Sequence, residues 1–169
     1  MRRAIVTGGA SGLGSDMASA LISAGYQVGV MDIDREQTEA TASRLGNAIP
    51  LVASVSDNAA VEAAFAQFGE APDLLINNAG IVRIGPLHEQ TVSDYTQVIE
   101  TNLLGPSLCS RIAANGIIAR GSGHIIKITS VNGLHPPPAL RLYAATTAAL
   151  HSLTPLSSLH VAPLDIRHK

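Results

Sequence analysis

The sequence predicts an α/β protein: a doubly wound parallel sheet of five strands plus the start of a sixth, with helices on both faces. Three observations predict it. Short apolar runs alternate with helix-period segments along the whole chain. The runs are continuously apolar, as in Leu74-Leu75-Ile76, and such runs mark strands buried on both faces. The first run breaks into Gly8-Gly9-Ala10-Ser11-Gly12-Leu13-Gly14, and a helical pattern follows at once. Right-handed crossovers then wind the sheet in both directions and leave ligands at the C-terminal ends of its strands.

Residues 4–7 read as the first strand. A helix over 12–24 places Leu13, Met17, Ala20, Leu21 and Ala24 on one face, and Gly25 ends it. Residues 27–31 form a second strand closed by Asp32, and a helix over 35–45 stops at Gly46. Residues 49–55 form the third strand, after which Ser56-Asp57 caps a helix running to about Phe68. Residues 73–77 are the fourth strand. Helices over 93–103 and 106–119 follow, then a fifth strand over 124–129. The last helix spans 140–162, and 166–167 would open a sixth strand where the chain stops. Pro155 falls inside that last helix, where proline costs about 3 kcal/mol and kinks the axis; a helix ending near Thr154 escapes this. Pro136-Pro137-Pro138 reads as a stiffened loop.

A chain of 169 residues fits a single domain, 1–169, with room for a sizeable core. Hydrophobic residues at 46% against charged residues at 14% exclude a disordered chain. A formal net charge of -2 gives no electrostatic reason to expect nucleic acid or an anionic membrane as a partner. No apolar run reaches the length of a membrane span, and Met1-Arg2-Arg3 leads into a strand rather than a signal peptide. The lone Cys109 cannot form an internal disulfide and reads as a core residue in a reducing compartment; a cytoplasmic protein is expected. The six histidines show no metal-ligand spacing, so no metal is expected; His135 is the one nearest the presumed pocket.

Gly8, Gly12 and Gly14 follow a G-x-x-x-G-x-G spacing. Alone this is weak, because glycine turns without a ligand are common. Between a strand and a helix it presents backbone N–H groups and a helix N-terminus to a phosphate. Gly8 permits the tight turn, Gly12 lets the backbone approach a pyrophosphate, and Gly14 lets the helix pack on the sheet. Asp32 ends the second strand eighteen positions after Gly14. A carboxylate there accepts hydrogen bonds from an adenosine ribose and repels a 2′-phosphate, which favours NAD over NADP. Its other reading is a cap for the next helix, for which Asp34 is better placed. Downstream, Ser130 and Tyr143 are two hydroxyls suited to carbonyl chemistry.

These features resemble the short-chain dehydrogenase/reductase family over essentially the whole chain. Thr7-Gly8-Gly9-Ala10-Ser11-Gly12-Leu13-Gly14 is similar to the family's T-G-x-x-x-G-x-G loop, and Asn77-Asn78-Ala79-Gly80 to its N-N-A-G motif. Asn102 sits where the family places a catalytic asparagine, and Tyr143 follows Ser130 at the family's usual interval of 13. The resemblance implies a Rossmann-like dinucleotide-binding domain that transfers hydride between NAD and a small-molecule alcohol or carbonyl substrate. Tyr143 would be the general acid or base, and Ser130 would hydrogen-bond the substrate oxygen. Asn102 would hold a relay water through a kink in its helix. The Ser11–Leu13 backbone would meet the phosphates between Gly8 and Gly14. Asp32 and Ile33 would contact the cofactor, as would Tyr143. Ser54 and Val55 would lie near the adenine, and Asn78, Ala79 and Gly80 on the adenosine side. A homodimer or homotetramer would form through the helices over 106–119 and 140–162.

The chain departs from that pattern in three places. The family motif is Y-x-x-x-K, but Tyr143-Ala144-Ala145-Thr146-Thr147 puts threonine where the lysine belongs. Residues four apart share a helix face, so that lysine would lie beside the tyrosine, bind the nicotinamide ribose and lower the tyrosine pKa. Ser54 stands where aspartate is frequent, a modest loss because serine also accepts a hydrogen bond. Third, the chain reads as C-terminally short, without the segment that closes the nicotinamide pocket. Three readings follow: an oxidoreductase with impaired turnover, a catalytically inactive dinucleotide-binding or protein-interaction module, or a non-functional fragment.

Overall fold

In the computed structural model, residues 1–161 and 167–168 are described. Six strands form one sheet: β1 (Arg2–Thr7), β2 (Tyr26–Asp32), β3 (Ala48–Val52), β4 (Leu74–Asn77), β5 (His124–Lys127) and the two-residue β6 (Arg167–His168). The order is β3-β2-β1-β4-β5-β6 and every pairing is parallel. The order reverses between β1 and β4, and that switch point opens the crevice in which such sheets bind ligands. The end of the last helix expected at 162, and the start of a strand at 166, lie outside the described residues.

The helices are α1 (Gly12–Ser23), α2 (Arg35–Leu45), α3 (Asn58–Phe68), α4 (Val92–Ile99), α5 (Gly105–Arg120) and α6 (Arg141–Val161). Their starts follow the capping chemistry. Asp34 accepts from the Gln37 N–H at 3.0 Å and Asp57 from the Ala60 N–H at 3.1 Å. Thr91 and Asp94 form a reciprocal capping box at the head of α4.

Alternate strand residues supply the two cores, since successive side chains point to opposite faces. Ile5, Leu51, Leu75 and Ile125 pack against Val61, Phe65 and Phe68 of α3 and Cys109, Ala113 and Ile117 of α5. Val6, Val28, Val30 and Ile76 meet Ala18, Met17 and Leu21 of α1 on the other face. Cys109 is fully buried, as expected, and desolvation pushes its thiol from the ordinary 9.0 up to about 12.

The structure corrects several expected details. Helix α1 buries Gly14, Ser15 and Ala18, while Leu13, Ala20 and Ala24 are exposed. Leu13 sits on the first turn of α1 and faces the crevice instead of the core. Strand β3 ends at Val52 rather than 55, and β5 at Lys127 rather than 129: Ala53 and Ile128 each make one further backbone bond to the neighbouring strand, at 2.9 and 2.8 Å, and Ala53–Val55 and Ile128–Ser130 line the crevice. The two helices expected over 93–103 and 106–119 run without a break through a π-helical turn, Glu100–Leu104. Pro155 does not end α6, which continues to Val161.

Candidate functional site

At the C-terminal end of β1 the chain turns sharply through Gly8, whose φ is +62°. The following loop leaves no room for a side chain at Gly14. A Cβ there would overlap the Gly8 carbonyl oxygen and come within 2.8 Å of Asn78 Nδ2. The glycine at 14 therefore lets the first turn of α1 close against the residues that follow β1 and β4. Asn78 completes the closure: its Nδ2 donates to the carbonyls of Thr7 and Gly8, both at 3.1 Å. The buried Thr7 hydroxyl accepts from the N–H groups of Asn78 and Ala79 at 3.0 and 3.1 Å. The N-N-A-G stretch is thus a clasp that holds the glycine loop at the switch point.

A cavity of about 420 Å³ lies over this loop. Gly8, Ser11, Leu13 and Gly14 form its floor, with Asp32, Ile33, Ser54 and Val55 on one side and Asn78, Ala79 and Gly80 on the other. Gly12 does not line it, but nothing lies within 4 Å of where its Cβ would be. Ala53, Ile81 and Thr101 also line the cavity and were not picked out from the sequence. Each adjoins or nearly adjoins a residue that was, and no separate pattern marks them. The Asp32 carboxylate accepts from Ala10 N–H at 3.2 Å and Ile33 N–H at 2.8 Å. Capping of α2 belongs to Asp34, so Asp32 is left to border the cavity. Ser54 and Ser56 share a hydrogen bond between hydroxyls at 2.8 Å.

A second compartment of about 340 Å³ adjoins the first through Leu13, Asn78, Ala79 and Gly80, which line both. Ser130, Tyr143, Thr147 and Asn102 are among its walls. Ser130 caps a short 3₁₀ turn, Val131–Gly133, and its Oγ accepts from Asn132 N–H at 3.2 Å. Tyr143 comes from the first turn of α6. One turn later, Thr147 is 4% exposed, and its hydroxyl donates to the Tyr143 carbonyl at 2.8 Å. Asn102 lies in the π turn, with its side-chain amide paired to both polar groups of Ile81 at 2.8 Å. That amide also donates to Thr146 Oγ1 at 3.4 Å.

Asn77 was quoted only as part of a motif, yet it also lines the second compartment. It is 2% exposed, with Nδ2 donating to Ser110 Oγ at 3.1 Å and Oδ1 buried without a partner. His135 is exposed and is not among the walls; the histidine beside the site is His151, whose Nε2 lies 2.9 Å from Thr129 Oγ1. Lys127 is buried at the end of β5, where desolvation holds its pKa below the ordinary lysine value, and it does not line the compartment. Among the described residues no cluster of His, Cys, Asp or Glu suits a metal ion, and no helix is long and apolar enough to cross a membrane.

The family model described as short chain dehydrogenase matches residues 2–168. The chain belongs to the short-chain dehydrogenase family. Among curated family members, 3-alpha-(or 20-beta)-hydroxysteroid dehydrogenase of Mycobacterium tuberculosis H37Rv is 32% identical over 97% of this chain and 65% of its own length. L-xylulose reductase of Cavia porcellus is 33% identical over 98% of this chain and 68% of its own. A 3-oxoacyl-[acyl-carrier protein] reductase from Brucella melitensis, solved with bound NAD, superposes with a TM-score of 0.95 at 29% identity. It covers 99% of this chain and 68% of that one. The chain therefore spans about two thirds of the length of these short-chain dehydrogenases.

Proposed function

We propose that the protein is an NAD-dependent oxidoreductase that interconverts an alcohol and a carbonyl compound, with turnover limited by Thr147. One observation carries this reading: a continuous cleft has the Asp32 carboxylate in one compartment and the Ser130 and Tyr143 hydroxyls in the other. The loop fits a dinucleotide. It is closed so tightly that Gly14 admits no Cβ, while the space beside Gly12 is open for a phosphate to approach the backbone. NAD, when bound, takes up or supplies the hydride. Asp32 would accept hydrogen bonds from the adenosine ribose and repel a 2′-phosphate. Ser11 and Leu13 would present the loop to the phosphates, and Val55, held against Gly105, would wall the adenine side.

In carbonyl reduction the Tyr143 hydroxyl gives its proton to the substrate oxygen, and the Ser130 hydroxyl donates a hydrogen bond to the same atom. In alcohol oxidation Tyr143 takes that proton back. Any water held by Asn102 would rest on its main chain in the π turn, because its side chain is committed to Ile81. A small-molecule substrate, a cytoplasmic location and association through α5 and α6 belong to the same reading.

A specific observation favours a second reading, a dinucleotide-binding module without turnover. Thr147 occupies the helix position beside Tyr143 and brings no charge, and its hydroxyl is already bonded to the helix backbone. A positive charge about 5 Å from a phenol, at an effective dielectric near 20, is worth roughly 3 kcal/mol, or about two pKa units. Thr147 supplies no such charge. A fluorescence titration with NADH and with NADPH tests the reading. Saturable binding that prefers NADH is expected; a folded sample that binds neither overturns both readings.

A further inference from the structure

We propose that His151 is a positioning residue: its hydrogen bond to Thr129 fixes the segment carrying Ser130 against the helix carrying Tyr143. This rests on the proposed function, in which those two hydroxyls act on one substrate oxygen.

Ser130 and Tyr143 belong to different elements and are separated by a loop containing three consecutive prolines. The bonds that shape the turn after Ser130 are internal to it. Asn132 N–H donates to Ser130 Oγ at 3.2 Å, Gly133 N–H to the Ser130 carbonyl at 3.1 Å, and Leu134 N–H to the Val131 carbonyl at 2.9 Å. They give the turn its form but do not set its place relative to α6. Its packing against α6 does, and two contacts in it are specific. His151 Nε2 and Thr129 Oγ1 lie 2.9 Å apart, joining α6 to the residue immediately before Ser130. Gly133 lies on the same stretch of helix. A Cβ there would meet Ala148 N at 2.9 Å, the Thr147 carbonyl carbon at 3.0 Å and His151 Cε1 at 3.0 Å.

His151 stands four residues beyond Thr147 and eight beyond Tyr143, on the same side of α6. It is not a wall of the compartment, so it acts through Thr129 rather than on a substrate. Displacement of a catalytic group by about 1 Å is enough to slow a reaction on the order of a hundredfold, so a hydrogen bond that joins the two elements matters to rate.

The test compares His151→Phe, which removes the bond, with His151→Gln, whose amide can restore it, and with Thr129→Val. Amide hydrogen exchange is followed at Asn132, Gly133, Leu134 and His135, together with NADH affinity and the kcat and KM of any turnover. In His151→Phe those four amides should exchange about tenfold faster, with kcat falling by a similar factor and NADH affinity unchanged. His151→Gln should recover both, and Thr129→Val should add nothing to His151→Phe. Unchanged exchange at the four amides, or a uniform rise through the whole protein, overturns the proposal. The exchange measurement needs no turnover. Loss of the functional reading would appear instead as absent NADH binding in the unaltered protein.

Discussion

The compartment over the glycine loop is closed by two side chains that bond to main-chain groups and by a close approach of backbone, whereas the compartment holding Ser130 and Tyr143 is assembled from side chains of three separate elements. In the first, the Thr7 hydroxyl and the Asn78 amide bond to neighbouring peptide groups, and glycine at position 14 lets two stretches of backbone touch. In the second, Ser130 follows β5, Tyr143 and Thr147 lie on α6, and Asn102 lies in a π turn between α4 and α5. Such a cradle tolerates few changes in its own loop or in the Asn78 side chain that clasps it. A side-chain constellation depends on how separate elements pack; within it Thr147 is buried one turn beyond Tyr143, bonds to the helix backbone and brings no charge.

Perturbing the cradle should have the largest effect. Gly14→Ala forces a methyl group against the Gly8 carbonyl and the Asn78 amide, so cofactor binding should be lost altogether, as read by NADH titration. If the variant binds NADH normally, the cradle is softer than its geometry implies. Thr147→Lys addresses the other compartment. The position lines a cavity of about 340 Å³, so the longer side chain has room to extend. Supplying the charge should raise kcat on the order of thirtyfold or more while changing NADH affinity far less. No gain would mean that charge beside Tyr143 is not what limits turnover.

Asp32→Asn sharpens the contrast within the first compartment. The amide keeps one acceptor for the neighbouring backbone but removes the charge, so the preference for NADH over NADPH should shrink by about tenfold. Equal cofactor discrimination before and after would detach Asp32 from the choice. The smallest effect is expected at Cys109, behind both compartments. Burial raises its thiol to about 12, so the native state holds the proton that the unfolded chain releases above 9.0. Stability from this group is complete below pH 9 and falls as pH rises from there toward 12. Thiol reagents at pH 8 should therefore label Cys109 only as the protein unfolds, and rapid labelling of the native state would contradict its burial.

Several features of the site were legible in the sequence because they depend on local chemistry. The caps at Asp34 and Asp57 act within three residues of themselves, and the glycine spacing and the carboxylate at the end of β2 stand at fixed places where a strand gives way to a helix. The strands were legible because burial on both faces demands uninterrupted apolar runs. Their ends were not: the residues following Val52 and Lys127 form cavity walls, although their composition still suits a strand. The π turn at Asn102 was likewise invisible in periodicity, since five residues of altered winding barely disturb the pattern. His135 was the histidine expected near the pocket, on the strength of its loop. His151 lies beside the site because a helical face, set only by packing, turns it toward Thr129.

By itself, then, the sequence determined the α/β class, the parallel sheet, the glycine loop and the uncharged residue four positions after Tyr143. These follow from residue type and short-range spacing, which any chain with this order of residues carries with it. Tertiary structure alone decided that Asn78 clasps the glycine loop, that Leu13 faces the cleft and that His151 pins α6 to the end of β5. Each of these joins residues distant along the chain or turns one face of a helix toward one neighbour, and such choices are made only when the elements pack.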